Sequence, residues 1–310
     1  VIYMVMCAEK CSNSRFGEVQ LLLCVLLFGF SFCLMKAVAV ETGPLNSLGP
    51  LTFNAIRYIV STAMLLVYML VLKPEVFNSV SSKSILPTAN SAHSDLYYAW
   101  YWGIISGVTT MLASAFQQYG IIHSSVAKTA FITALYVVFV PIVESQLPGG
   151  RMVMSTWTAA CVSMIGTYFV SGLSEAASGD FDSADLWSEA SLFVGMLFWT
   201  GCIIAMDRGC KRCDCLLLTL IEFGSCSVLS LGAAALLEPQ FLIFPFVHIR
   251  NNLGTIVLLA FLELVAFVLC ALGQAAVESS RAALLLSFES VAGAVSGYLF
   301  LHEVLTPTEV

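Results

Sequence analysis

The sequence predicts an all-α protein that crosses a membrane many times. Three observations carry this. First, the 310 residues are 59% hydrophobic and 11% charged, with a mean hydropathy of +0.90. Soluble domains carry about 25% charged residues, so this chain has too few to cover a water-facing surface. Second, the apolar residues gather into nine runs, at roughly 19–40, 51–72, 97–119, 125–145, 153–172, 187–206, 216–237, 254–276 and 281–301. Each approaches the ~20 residues a helix needs to cross a bilayer. They are too long for the strands of a membrane barrel and lack strict alternation. Third, Pro44, Pro50, Pro74, Pro87, Pro148, Pro239, Pro245 and Pro307 all fall between runs, where a missing N–H does no harm.

Taken in order, residues 1–18 form an N-terminal segment and the first run opens the spanning region. A polar, Ser-rich connection at 73–96 leads to the third run. The fourth holds Pro141, which has no N–H for the carbonyl of Val137. A kink, and so a hinge, is expected there. The acidic segment 173–186 then parts five runs (19–172) from four (187–310).

Cation bias orients the chain. With the N-terminus in the cytosol, the inner segments hold Lys10, Arg15, Lys73, Lys83, Arg151, Arg208, Lys211 and Arg212, and the outer loops hold Arg250. The acidic 173–186 loop then faces outside or a lumen. The net charge of −7 comes with no basic patch, which argues against a nucleic-acid partner. The eleven Cys are mostly isolated in apolar runs and read as small buried side chains rather than a disulfide framework.

A repeat lies in the apolar runs. Lys128 sits one turn into the fourth run and Arg281 at the start of the ninth, 153 residues apart (281 − 128). With the two aligned, TAFITALYVVFV overlies AALLLSFESVAG, and Tyr136 falls on Glu289. The two runs are five spans apart, so the second copy enters the membrane in the opposite direction. Inverted repeats of this kind are a common plan of secondary transporters. The expectation is ten helices in two inverted halves of five, with nine spans present and the tenth missing after Pro307.

Four stretches resemble the EamA-like family of the drug/metabolite transporter superfamily: FGFSFCLMKAV followed by PLTFNAIRYIVSTAMLL; SSVAKTAFITALYVVFVP; DLWSEASLFVGMLFWTGCIIAMDR; and SSRAALLLSFESVAGAVSGYLFLHEVLTP. The resemblance implies two five-helix inverted repeats and transport of small organic solutes. It would make 19–172 one repeat and 187–310 a second. The long 73–96 connection and the Cys-rich 210–215 loop depart from the pattern.

Charges inside spans mark candidate sites, because a charged group at mid-membrane costs at least ~2.5 kcal/mol. Lys128 and Arg281 either snorkel to the headgroups or face a central cavity and draw an anionic group of the solute. Glu289 lies about two turns into the ninth run and suits a cavity or proton-coupling role. Tyr136 holds the matching place in the fourth. Arg57 and Glu263 are mid-span candidates, while Glu263 has no polar neighbour within a turn of its own helix. Glu222 reads as interfacial and Lys36 as snorkelling. Gln117, Gln118 and Gln274 read as cross-helix hydrogen-bonding groups. Gly293 and Gly297 form a GxxxG pattern for close helix packing, within one chain or in a homodimer.

Other classes find little purchase. CKRCDC at 210–215 has three thiols but no His nearby, short of a four-ligand zinc set. Neither HExxH, GxSxG nor a P-loop occurs, so no enzyme activity, metal or cofactor is expected. A small-molecule solute and the lipid bilayer are the expected partners. A channel is the alternative to a transporter.

Overall fold

The computed structural model describes residues 14–46, 48–73, 92–147, 158, 161–162, 165, 183–238 and 245–303. Most of the expected fifth span (153–172), of the acidic segment and of the Ser-rich connection, and the region after 303, lie outside them. Among the described residues every secondary-structure element is an α-helix. These are α1 (Ser14–Asn46), α2 (Pro50–Leu72), α3 (Ala92–His123), α4 (Val126–Ala134), α5 (Tyr136–Gln146), α6 (Ser183–Cys210), α7 (Cys215–Leu237), α8 (Pro245–Ala276), α9 (Ser279–Leu286) and α10 (Glu289–Leu301).

Among the described residues, seven stretches are long and apolar enough to cross a membrane: Ser14–Val38, Pro50–Leu72, Val126–Gln146, Leu186–Cys210, Cys215–Leu237, Asn252–Ala276 and Ser279–Leu301. The third expected span lies in α3, a 32-residue helix whose Ser106, Thr110, Ser114, Gln117 and Gln118 are buried against its neighbours. Helix starts follow local chemistry. Pro50 opens α2. Ser125 Oγ accepts from Lys128 N at 3.1 Å to cap α4, and Asp214 Oδ1 accepts from Leu217 N at 2.9 Å to cap α7.

Two spans are broken in the middle. The first breaks at Leu135, between α4 and α5. There Leu135 N bonds the carbonyl of Ile132 at 3.2 Å and Val138 N that of Leu135 at 2.9 Å, tightening the ladder by one residue. Pro141 lies further on, inside α5. The carbonyl it leaves without a donor, that of Val137, falls in this tightened turn. The second break, at Ser287 and Phe288, has no proline. Hydroxyls bond backward instead: Ser287 Oγ to Leu284 O at 2.7 Å and Ser290 Oγ to Ser287 O at 2.8 Å. The breaks are 153 residues apart (288 − 135).

The packing is paired in the same sense. α1 lies on α8, α9 and α10, while α6 lies on α3, α4 and α5; α2 packs on α7, and α4 on α10. Gly120 in α3 receives the side chain of Leu192, and Gly273 in α8 receives that of Leu21; a Cβ at Gly273 would sit 2.7 Å from Leu21 Cγ. Gly273 is again 153 residues after Gly120 (273 − 120), and Leu192 is 171 after Leu21 (192 − 21). Gly293 and Gly297 face α4: a Cβ at Gly297 would meet Val126 Cβ at 3.2 Å, and Gly293 abuts Ala130. Their close packing is thus within the chain.

Candidate functional site

The broken spans run antiparallel across the centre of the bundle. Val126 N, at the start of α4, donates to Glu303 Oε2 beyond the end of α10 at 2.8 Å. At the other end, Ser279 and Ser280 of α9 donate to the two oxygens of Glu144 in α5 at 2.9 and 3.0 Å. Between them, beside both breaks, the Tyr136 hydroxyl donates to Glu289 Oε2 at 3.0 Å.

A cavity opens around this contact. α1 lines it with Phe28, Ser31, Phe32 and Met35; α6 lines it with Trp199, Cys202, Ile203 and Met206. Each of the second four follows its counterpart by 171 residues (199 − 28). The broken spans supply Thr133, Tyr136, Leu286 and Glu289; α2 supplies Arg57 and Tyr58, α3 Gln117, and α8 Glu263, Phe267, Cys270, Ala271 and Gln274. The hollow holds about 690 Å³ of atom-free space, its open mouth included.

Arg57 Nη1 donates to Glu263 Oε1 at 2.7 Å, with side-chain exposures of 1% and 5%. The guanidinium also stacks 4.8 Å from the Tyr58 ring and 5.3 Å from that of Phe53. Glu263, without a polar neighbour on its own helix, takes its partner from another. Gln117 donates to Thr133 Oγ1 at 3.1 Å and accepts from Trp199 Nε1 at 3.3 Å, so it both cross-links helices and lines the cavity.

Lys128 and Arg281 are not among the lining residues. Lys128 Nζ pairs with Glu189 of α6, and Arg281 Nη2 with Glu18 of α1 at 2.6 Å. These pairs are counterparts: the cations differ by 153 positions and the acids by 171 (189 − 18). They occupy opposite ends of the bundle. Lys36 Nζ bonds Ser124 O at 2.7 Å, and Ser124 bonds Ser188, next to Glu189. Lys36 is 18 residues along α1 from Glu18 (36 − 18), a rise of about 27 Å.

Three further placements correct the sequence reading. Glu222 is fully buried rather than interfacial, accepting from Thr110 Oγ1 at 2.7 Å, because its face of α7 packs on α3. Lys36 does not reach outward; it pairs with Glu303 at 2.6 Å. Glu18, Glu189 and Glu303, which hydropathy does not single out, are the partners of Arg281, Lys128 and Lys36. A signal for two of them existed: FGEVQL at 16–21 and WSEASL at 187–192 place the Glu alike.

The 210–215 loop is a turn, with Asp214 spent on its cap and Arg212 stacked 4.7 Å over Tyr98. Among the described residues no group of three or more His, Cys, Asp or Glu is placed to hold a metal.

Comparison with known proteins adds three findings. The model of the EamA-like transporter family matches twice, over residues 15–172 and 186–310. An uncharacterized transporter of Archaeoglobus fulgidus is 24% identical over 298 residues, covering 95% of this chain and 81% of that one. One protein of known crystal structure shares the fold with a TM-score of 0.65 at 15% identity, over 96% of this chain and 92% of its own.

Proposed function

Because the chain belongs to the EamA-like transporter family, we propose that it is a secondary transporter that carries small organic metabolites across a membrane by alternating access. One observation carries this reading. Tyr136 and Glu289 are equivalent positions of two repeats, and they touch at 3.0 Å in the central cavity. Equivalent positions meet only at the axis relating the repeats. An axis through a cavity, between spans of opposite direction, is the geometry from which two conformations of equal standing arise.

The repeats are proposed to be 19–172 and 187–310, inverted, five helices each, with the N-terminus in the cytosol. Arg281–Glu18 then lies at the cytosolic end and Lys128–Glu189 at the other. Opening one end while closing the other exchanges which pair is made. Arg57, Tyr136, Glu263 and Glu289 are the proposed solute or coupling residues, and the breaks at Leu135 and Phe288, with Pro141 beyond the first, are the proposed hinges. The expectation of an anionic solute rested on Lys128 and Arg281 facing the cavity. Both are instead engaged by glutamates at the bundle ends, and the charge of the solute is set by the groups that line the cavity.

The test is flux through the purified protein in liposomes. A transporter gives uptake that saturates and is accelerated by the same solute on the opposite side. Unsaturable ohmic current without exchange would replace this reading with a channel.

A further inference from the structure

We propose that the cavity takes a small organic solute that carries an ammonium group and no carboxylate. This rests on the transporter reading above and names the chemistry of its site.

The charge inventory points this way. The lining residues include one guanidinium, Arg57, and two carboxyls, Glu263 and Glu289. Arg57 is already committed, held by Glu263 at 2.7 Å and stacked on two rings. A solute carboxylate would have to displace Glu263 from a buried pair and lie in the same hollow as Glu289. An ammonium meets neither obstacle.

Hydrogen-bond accounting agrees. Among the described residues, Glu263 Oε2 and Gln274 Oε1 are buried acceptors without a partner, both on lining side chains, against one orphan donor there, Arg57 Nε. An ammonium has three donors and no acceptor, so it satisfies what the wall leaves open. A carboxylate is acceptor-only and satisfies the minority.

The apolar part of the wall fits the same group. Trp199 and Phe267 lie with ring centroids 6.0 Å apart, and Phe28 meets Phe267 at 5.2 Å. Aromatic rings attract a desolvated cation through their faces. Carboxyls beside aromatic rings thus make one receptor for an organic cation.

The experiment uses three probes of one shape: benzylammonium, phenylacetate and benzyl alcohol. Each is titrated against the purified chain, reading thermal melting, and then used to inhibit flux in liposomes. Benzylammonium is expected to raise the melting temperature and compete for flux, with phenylacetate inert. Glu289→Gln should weaken the ammonium by about tenfold or more and spare the alcohol. Trp199→Leu, which keeps both carboxyls, should weaken it in the same selective way. Binding of phenylacetate as tight as that of benzylammonium overturns the proposal, as does an ammonium affinity that both variants leave unchanged. Ammonium binding without saturable flux of any solute leaves the site standing and overturns transport. Saturable flux that only carboxylates inhibit does the reverse.

Discussion

Tyr136 and Glu289 stand 153 residues apart and share one hydrogen bond of 3.0 Å at the breaks of two antiparallel spans. Neither residue is exposed, at 3% and 7%. The bond ties the two broken spans together at a single point. Tyr136→Phe removes the donor while keeping the ring. It should cost about 1–3 kcal/mol by leaving a buried acceptor unpaired. Glu289→Gln keeps a hydrogen-bonding group of the same size and should cost less in stability. If the contact works in transport, both variants lose flux, and Glu289→Gln loses more flux per degree of melting temperature. Equal losses in the two measures would reduce the pair to a structural one.

The Arg57–Glu263 pair makes a separate prediction. Removing one member of a buried pair strands the other charge and costs about 3–5 kcal/mol, while replacing both by apolar residues of similar volume is often neutral. Arg57→Met or Glu263→Leu alone should therefore lower the melting temperature more than the double replacement. Flux should fail in all three, because the cavity loses a charged group proposed to act on the solute. Additive destabilisation in the double variant would mean the two side chains act independently.

Much of this was legible in the sequence, and the gaps have a common cause. Hydropathy placed the seven spans seen among the described residues, and aligning Lys128 on Arg281 gave the offset that recurs in Tyr136 and Glu289, in Leu135 and Phe288, and in Gly120 and Gly273. It did not give the facing of any helix. A 100° rotation per residue separates cavity from neighbour, and apolar helices without a clear stripe leave it open. So Glu263 read as solitary when its partner was Arg57, and Glu222 read as interfacial when Thr110 was its donor. The destinations of Lys128 and Arg281 were open for the same reason. Glu189 and Glu18 lie in other helices, and only packing brings them within reach.

Close packing at the paired glycines predicts a contrast. Gly273 abuts Leu21, so Gly273→Val should overpack the α1–α8 seam and cost about 1–3 kcal/mol. Gly224 in α7 has open space where its Cβ would lie. Gly224→Ala should be neutral, or stabilising by up to about 1 kcal/mol through helix propensity. Melting curves of the two variants in one detergent check this. A neutral Gly273→Val would mean that the seam is looser than its glycine implies.

The two counterpart ion pairs should bias the two ends of the bundle in opposite directions. Lys128–Glu189 is the better shielded, with side-chain exposures of 18% and 16%, against 60% and 26% for Arg281–Glu18. Exposed pairs contribute about 0–1 kcal/mol, enough to shift a two-state population by up to about fivefold. Lys128→Gln should open the end that holds Ser125, and Arg281→Gln the end that holds Ser279, with the smaller effect at Arg281. Single cysteines at Ser124 and at Ser280, labelled by a membrane-impermeant reagent from each side, read the two populations. Labelling at Ser124 should rise in Lys128→Gln while labelling at Ser280 falls, and Arg281→Gln should reverse the pattern. Glu189→Gln should match Lys128→Gln, because either change breaks the same pair. Labelling that rises at both ends in every variant would show that the pairs hold the fold together without setting which end is open.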